Sequence, residues 1–162
     1  LCNEQGFTIE HDIADGGASR FESSRNGLAL VPDDEEGVVG FHDGVRPFVS
    51  AETIDRCFEA AREDYAALPV MPVTDTLRFT GGSSAGRNVP RSDYRIVQTP
   101  QVFDIALAKQ AFRQPYRDAF TDDASVVESL GCQVRMVEGN RENIKLTTPF
   151  DLQLADFIIK QQ

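Results

Sequence analysis

Short apolar runs alternate with helical patterns along almost this entire chain, and few architectures accept that order. FTIEHDI at 7–13 alternates apolar and polar residues and predicts a strand. After the turn Ala14-Asp15-Gly16-Gly17, Ser19 is placed to cap a helix running to about Leu30, with Phe21 and Leu28 facing inward. VVGFH at 38–42 is the next strand, and Ser50 caps a helix in which Ile54, Phe58, Ala61 and Tyr65 recur at helical spacing. The apolar run at 66–73 is a third strand. Pro69 and Pro72 cannot donate to a ladder, which predicts an edge or irregular strand there. Helices at 104–113 and from Thr121 to a stop at Gly131 follow, then strands at 132–137 and 143–146. Thr148-Pro149-Phe150-Asp151 opens the last helix with a capping-box pattern. Alternation of this kind predicts an α/β fold, with a mostly parallel sheet covered by helices on both faces.

One segment breaks the alternation. Residues 74–98 hold two short strand-like pieces around a Gly/Ser tip, the pattern of an exposed β-hairpin arm. Such an arm is poorly stable alone and usually packs on something, often a second subunit.

The chain has 162 residues, the size of one domain, and a net charge of −10, which argues against a general nucleic-acid binder. Local clusters of Arg and Lys can still hold a small anion. Cys2, Cys57 and Cys132 are widely spaced and follow no metal or redox pattern, so they read as free thiols in a reducing compartment. No run has membrane-spanning length, so a soluble cytoplasmic protein without a membrane partner is expected. The opening LCNEQ lacks an initiator Met and resembles the end of a helix and loop, which suggests a fragment.

Four polar groups fall at the ends of apolar segments, where open α/β sheets bind ligands. Gly16-Gly17 with Ser19, Arg20 and Ser23 offers backbone amides and a cation to a phosphate or pyrimidine, although from these residues alone a tight turn with a surface Arg is the simpler reading. Asp43, Gly44 and Arg46 can hold a cation and an anion side by side. Thr76, Arg91 and Thr99 can donate to an anion. Thr121 reads as a helix cap, whereas Lys145, between Ile144 and Leu146, must reach solvent or an anion. One acid, several cations and hydroxyls, and no nucleophile–base pair suit phosphoryl or nucleotidyl transfer. His11 and His42 have no hydrolase partner pattern.

Six ordered blocks carry a resemblance: GGASRFESSRNGL, FHDGVRPFVS, PVTDTLR, VPRSDYRIVQTPQVF, FTDDASVVES and VEGNRENIKLTTPFDLQLA. From about Ile9 to the end the chain resembles the 2-C-methyl-D-erythritol 4-phosphate cytidylyltransferases. The resemblance implies a Rossmann-like nucleotidyltransferase of the non-mevalonate isoprenoid pathway. It would join CTP to a polyol phosphate with Mg²⁺ and release pyrophosphate. It implies Asp43 as the Mg²⁺ ligand, and Arg20, Ser23 and Gly44 around the cytidine. Arg91 and Lys145 would orient the acceptor phosphate, helped by Arg46, Thr76, Thr99 and Thr121. The arm would hook a twofold partner, so that Thr76 and Arg91 serve the neighbour's site in a homodimer. Ala18 stands where the family commonly has an acid. The family's Gly-rich triphosphate loop lies upstream of Leu1, so the 162-residue chain alone is expected to be inactive. The sister ribitol 5-phosphate cytidylyltransferases share the GG, HD-x-x-RP and TPQ blocks, but PVTDTLR and TDDASVVE favour the methylerythritol enzyme. A non-catalytic dimerisation or ligand-binding module on this scaffold is the alternative from another class.

Overall fold

The computed structural model describes residues 6–161. Cys2 and the LCNEQ opening lie outside them. Ser19 caps α1 (Arg20–Leu28) by accepting from the Glu22 amide, and Phe21 and Leu28 are its buried side chains. β1 (Val38–Phe41) leads through the His42–Pro47 turn to α2 (Ala51–Asp64), capped by Ser50. The buried face of α2 is Thr53, Cys57, Ala60 and Ala61. Tyr65, expected on that face, instead ends the helix in the left-handed region with φ 67°. β2 (Ala66–Pro72) follows, and the arm holds the two-residue strands β3 (Leu77–Arg78) and β4 (Asn88–Val89), which pair only with each other. β5 (Arg95–Val97) returns to the main sheet, then come β6 (Gln101–Asp104), α3 (Ile105–Phe112), α4 (Asp123–Glu128), β7 (Arg135–Glu138) and α5 (Pro149–Ile159).

The main sheet runs β1-β6-β2, with β5 on the same side of β2 as β6 and β7 on the other. β1, β2 and β7 share a direction, the parallel frame expected of alternating strands and helices. β5 and β6 run against it, so β1–β6, β2–β6 and β2–β5 pair antiparallel, and only β2–β7 pairs parallel. The sheet is therefore mixed. Side chains alternate across it: Ala66, Leu68 and Phe103 join α1, α3 and α4 in one core, while Ala67 and Val102 meet Cys57, Ala60 and Ala61 of α2 in the other.

Three strand expectations are corrected. β2 is the central strand rather than an edge. It tolerates Pro69 because that residue lies opposite the interruption between β5 and β6, formed by Gln98, Thr99 and Pro100. The Pro69 carbonyl accepts from the Gln98 amide at 2.9 Å, and the N–H that proline lacks would face the same gap. Residues 7–13 form no strand: Phe7, Ile9 and Ile13 are exposed and no sheet partner lies beside them. Residues 143–146 are also irregular, held by the Leu146 amide donating to the Val45 carbonyl at 2.8 Å. Finally, Asp122 rather than Thr121 caps α4, in a reciprocal box with Ser125.

Candidate active site

The His42–Pro47 turn leaves the carboxyl end of β1, and the structure packs α1, the α4 start, the β5–β6 junction and the 143–146 loop around it. Asp43 is the hub. Its Oδ1 pairs with Arg20, and its Oδ2 lies 3.2 Å from Arg46 Nε and 3.4 Å from Lys145 Nζ. Burial pushes the carboxyl upward, but Arg20, Arg46 and Lys145 outweigh it and hold it down at about 2. Asp43 is thus ionised at neutral pH.

Two cavities meet at Asp43 and Arg20. The larger, about 500 Å³, is lined by Arg20, Ser23, Gly44 and the apolar side chains Leu28, Val31 and Phe41. That volume and lining suit a flat heterocycle with polar edges. The smaller, about 190 Å³, is lined by Arg20, Asp43, Arg46, Thr99, Thr121 and Lys145, a lining suited to a phosphate. The structure therefore gathers eight of the ten sequence-derived candidates. Thr76 and Arg91 stay in the exposed arm, where the Arg91 guanidinium donates to the Thr74 carbonyl. A cavity of about 800 Å³ between Tyr65, Leu107 and Arg135 lies away from this cluster and holds none of the candidates.

The turn before α1 differs from expectation in one respect. Its amides are not free for an anion: Gly17 N–H donates to Ser23 Oγ at 2.9 Å and Ala18 N–H to Glu22 Oε2 at 2.7 Å. A Cβ on Gly17 would come within 2.2 Å of the Glu22 Cβ, so glycine is required there for a close approach. The cation of this corner is the Arg20 side chain, whose guanidinium is paired with Asp43 and Asp123.

Three residues that stand in the polar clusters of the sequence, but receive no role from it, hold the site in place. Asp123 is 1% exposed and accepts from Arg20 Nε at 3.1 Å and Ser24 Oγ at 2.6 Å, fixing the guanidinium from behind. Gln101 ties the site to α4 through Asp122 and the Ala124 amide. His42, without a partner pattern in sequence, bonds Thr99 and Arg46. A second acid beside a cap was the available signal for Asp123, since one of two adjacent acids suffices to cap.

For a divalent cation, no group of three or more His, Cys, Asp or Glu side chains converges among the described residues. Mg²⁺ does not need one, because it commonly takes one or two carboxylates and draws its other ligands from phosphates and water. An ionised, half-enclosed Asp43 beside a phosphate-sized cavity fits that mode.

The family model "2-C-methyl-D-erythritol 4-phosphate cytidylyltransferase" matches residues 5–161. Enzymes of that name from Phocaeicola vulgatus and Bacteroides fragilis are each 57% identical over 159 residues, covering 98% of this chain and 71% of theirs. The crystal structure of the enzyme of the same name from Thermus thermophilus superposes with a TM-score of 0.79 at 41% identity, covering 90% of this chain and 71% of that one.

Proposed function

Because the chain belongs to the 2-C-methyl-D-erythritol 4-phosphate cytidylyltransferase family, we propose that it transfers a cytidylyl group from CTP to 2-C-methyl-D-erythritol 4-phosphate, a step of isoprenoid precursor synthesis. An oxygen of the acceptor phosphate forms a bond to the α-phosphorus. The bond from that phosphorus to the bridging oxygen breaks, and pyrophosphate leaves with the electron pair. The observation that carries this reading is the single carboxylate of Asp43, ringed by Arg20, Arg46 and Lys145 where the two cavities meet.

In this reading the apolar cavity takes the cytidine against Arg20, Ser23 and Gly44, and the small one takes the acceptor phosphate. Lys145 is about half exposed and able to swing from Asp43 to a phosphate, while Arg46 is held more tightly, with its side chain 13% exposed. Thr121 and Thr99 close the small cavity. Asp43 would hold Mg²⁺, which supplies charge neutralisation between the two phosphates when bound. Arg91 and Thr76 act in the site of a second copy, reached by the arm of a homodimer. Cys57 and Cys132 are free thiols, in keeping with a cytoplasmic enzyme, and no helix among the described residues is long and apolar enough to cross a membrane.

The test is pyrophosphate release by the full-length protein with CTP, Mg²⁺ and either methylerythritol phosphate or ribitol 5-phosphate. Turnover with methylerythritol phosphate is expected. Preference for ribitol phosphate, or no turnover with either, overturns the assignment.

A further inference from the structure

The acidic and basic groups of the site rest on a closed ring of hydrogen bonds. Asn143 Nδ2 donates to the Thr99 carbonyl at 2.8 Å, and the Thr99 hydroxyl lies 2.9 Å from His42 Nδ1. His42 Nε2 lies 2.9 Å from the Arg46 carbonyl, and Arg46 Nη1 donates to the Asn143 carbonyl at 2.8 Å. A carbonyl can only accept, so Nε2 carries the ring proton. In the neutral imidazole Nδ1 is then an acceptor, and the Thr99 hydroxyl donates to it. That leaves the hydroxyl oxygen to accept from the Asp43 amide at 3.1 Å. Every donor in the circuit thus has one direction, and reversing any of them breaks its neighbour.

The ring is buried at its base. Asn143 is fully buried and Thr99 is 4% exposed. The Asn143 amide cannot be flipped to help itself, since Oδ1 would then face the Thr99 carbonyl. In the orientation the ring demands, Oδ1 is buried without a partner. A fold retains an unsatisfied buried acceptor only where the remaining contacts require it.

We propose that His42 is a positioning residue: as the Nε2–H tautomer it closes a ring through Thr99, Asn143 and Arg46 that presents Arg46 and Asp43 to the acceptor phosphate. Both of its ring nitrogens are engaged by protein partners, while the imidazole also forms part of the wall of the larger cavity. It joins the carbonyl end of the HDGVRP turn to the β5–β6 junction, two segments whose relative placement sets the width of the small cavity. In the nucleotide corner, Arg20, Ser23 and Ser24 stand on α1 and are tied to Asp123 of α4, whereas Gly44 shares the HDGVRP turn with the ring. The role of the small cavity rests on the proposed function, but the ring itself does not.

Two measurements on the full-length protein test this. Imidazole nitrogen spectra at mildly alkaline pH should show His42 as the Nε2–H tautomer, with the Nδ1 signal moved by Thr99→Val and kept by Thr99→Ser. In turnover, His42→Phe should lower kcat/KM for the polyol phosphate about 10- to 100-fold, the scale of a displaced catalytic group. The KM for CTP should change less than that for the polyol phosphate, because Arg20, Ser23 and Leu28 of the cytidine cavity stand on α1 and only its His42–Gly44 edge moves with the ring. A proton on Nδ1, or an insensitivity of the ring to Thr99→Val, overturns the proposal. So does an equal loss toward both substrates, which would mean general unfolding. A wild-type protein with the expected tautomer but no turnover would count against the proposed function and for the ring.

Discussion

Asp43 carries more of the site's electrostatics than any other side chain, and its environment makes specific demands. Its folded pKa of about 2 lies below the ordinary carboxylate range, so the stability it contributes is present above that range and is lost as pH falls from about 4 toward 2. Acid titration of unfolding should therefore be shallower in Asp43→Asn over that window. The same variant of the full-length protein should lose at least about 100-fold in turnover, the scale set by removing one preorganised charge partner, while its circular dichroism is unchanged. Unchanged turnover would remove Asp43 from the reaction. Arg20 is the second test. Arg20→Ala leaves the Asp123 carboxylate, at 1% exposure, with Ser24 as its remaining hydrogen-bond partner. Stranding a buried charge costs about 3 kcal/mol, which is roughly 6–12 °C in melting temperature for a domain this size. Adding Asp123→Asn should recover most of that stability but none of the lost CTP affinity, since no cation returns. Recovery of affinity would show that Arg20 does not face the nucleotide. Asp43, Arg46 and Lys145 were legible in sequence because a charged group next to an apolar run demands an explanation. Asp123, His42 and Asn143 fall in the same polar clusters, but their roles were not legible, because those come from partners that only folding brings near: Arg20 lies 103 residues before Asp123, and Thr99 lies 57 beyond His42.

Helix starts were the most readable elements, since their determinants are local. Ser19, Ser50 and Thr148 cap the helices their sequence patterns indicate. α5 shows what such a cap is worth. It buries only Ala155, so packing within the chain holds it weakly, and its box of Thr148 and Asp151 supplies much of what remains. Thr148→Ala should cost about 1 kcal/mol, read as faster amide exchange confined to α5. The Thr147 and Thr148 amides, with the two Thr hydroxyls, lower the Asp151 pKa. The support it gives the helix is therefore present above the ordinary Asp range and is lost as pH falls below it, so exchange in α5 should quicken in acid before the sheet opens. Exchange rising equally across the sheet would show that the box is not local. Strands were less readable. FTIEHDI has ideal alternation, but alternation specifies a face and not a neighbour, and no neighbour is beside it. β2 reads as an edge because of its prolines, yet it is central because the β5–β6 interruption happens to meet Pro69. A sheet partner is a non-local fact, and no pattern within seven residues contains it.

On the scale of the whole molecule, the separation of Arg91 and Thr76 from the other candidates is the feature with the largest consequence. β3 and β4 pair only with each other, and the arm carries the exposed side chains Phe79 and Tyr94, with Ile96 and Val97 exposed where it rejoins the sheet. A two-stranded hairpin with exposed aromatic residues is marginal unless another surface covers it. If a second copy does so with twofold symmetry, each site takes Lys145 from one chain and Arg91 from the other. That arrangement has an arithmetic signature. Full-length Arg91→Ala and Lys145→Ala homodimers should each be nearly inactive, because both of their sites lack a cation. Subunits exchanged at random give half heterodimers. In each heterodimer one site collects both defects and the other collects neither, so the mixture should regain about a quarter of wild-type activity. Were Arg91 and Lys145 contributed by the same chain, every site in the mixture would lack one of them and activity would stay at the level of the parents. The measurement is the pyrophosphate release rate after refolding the two variants together, against the same variants refolded apart and then mixed.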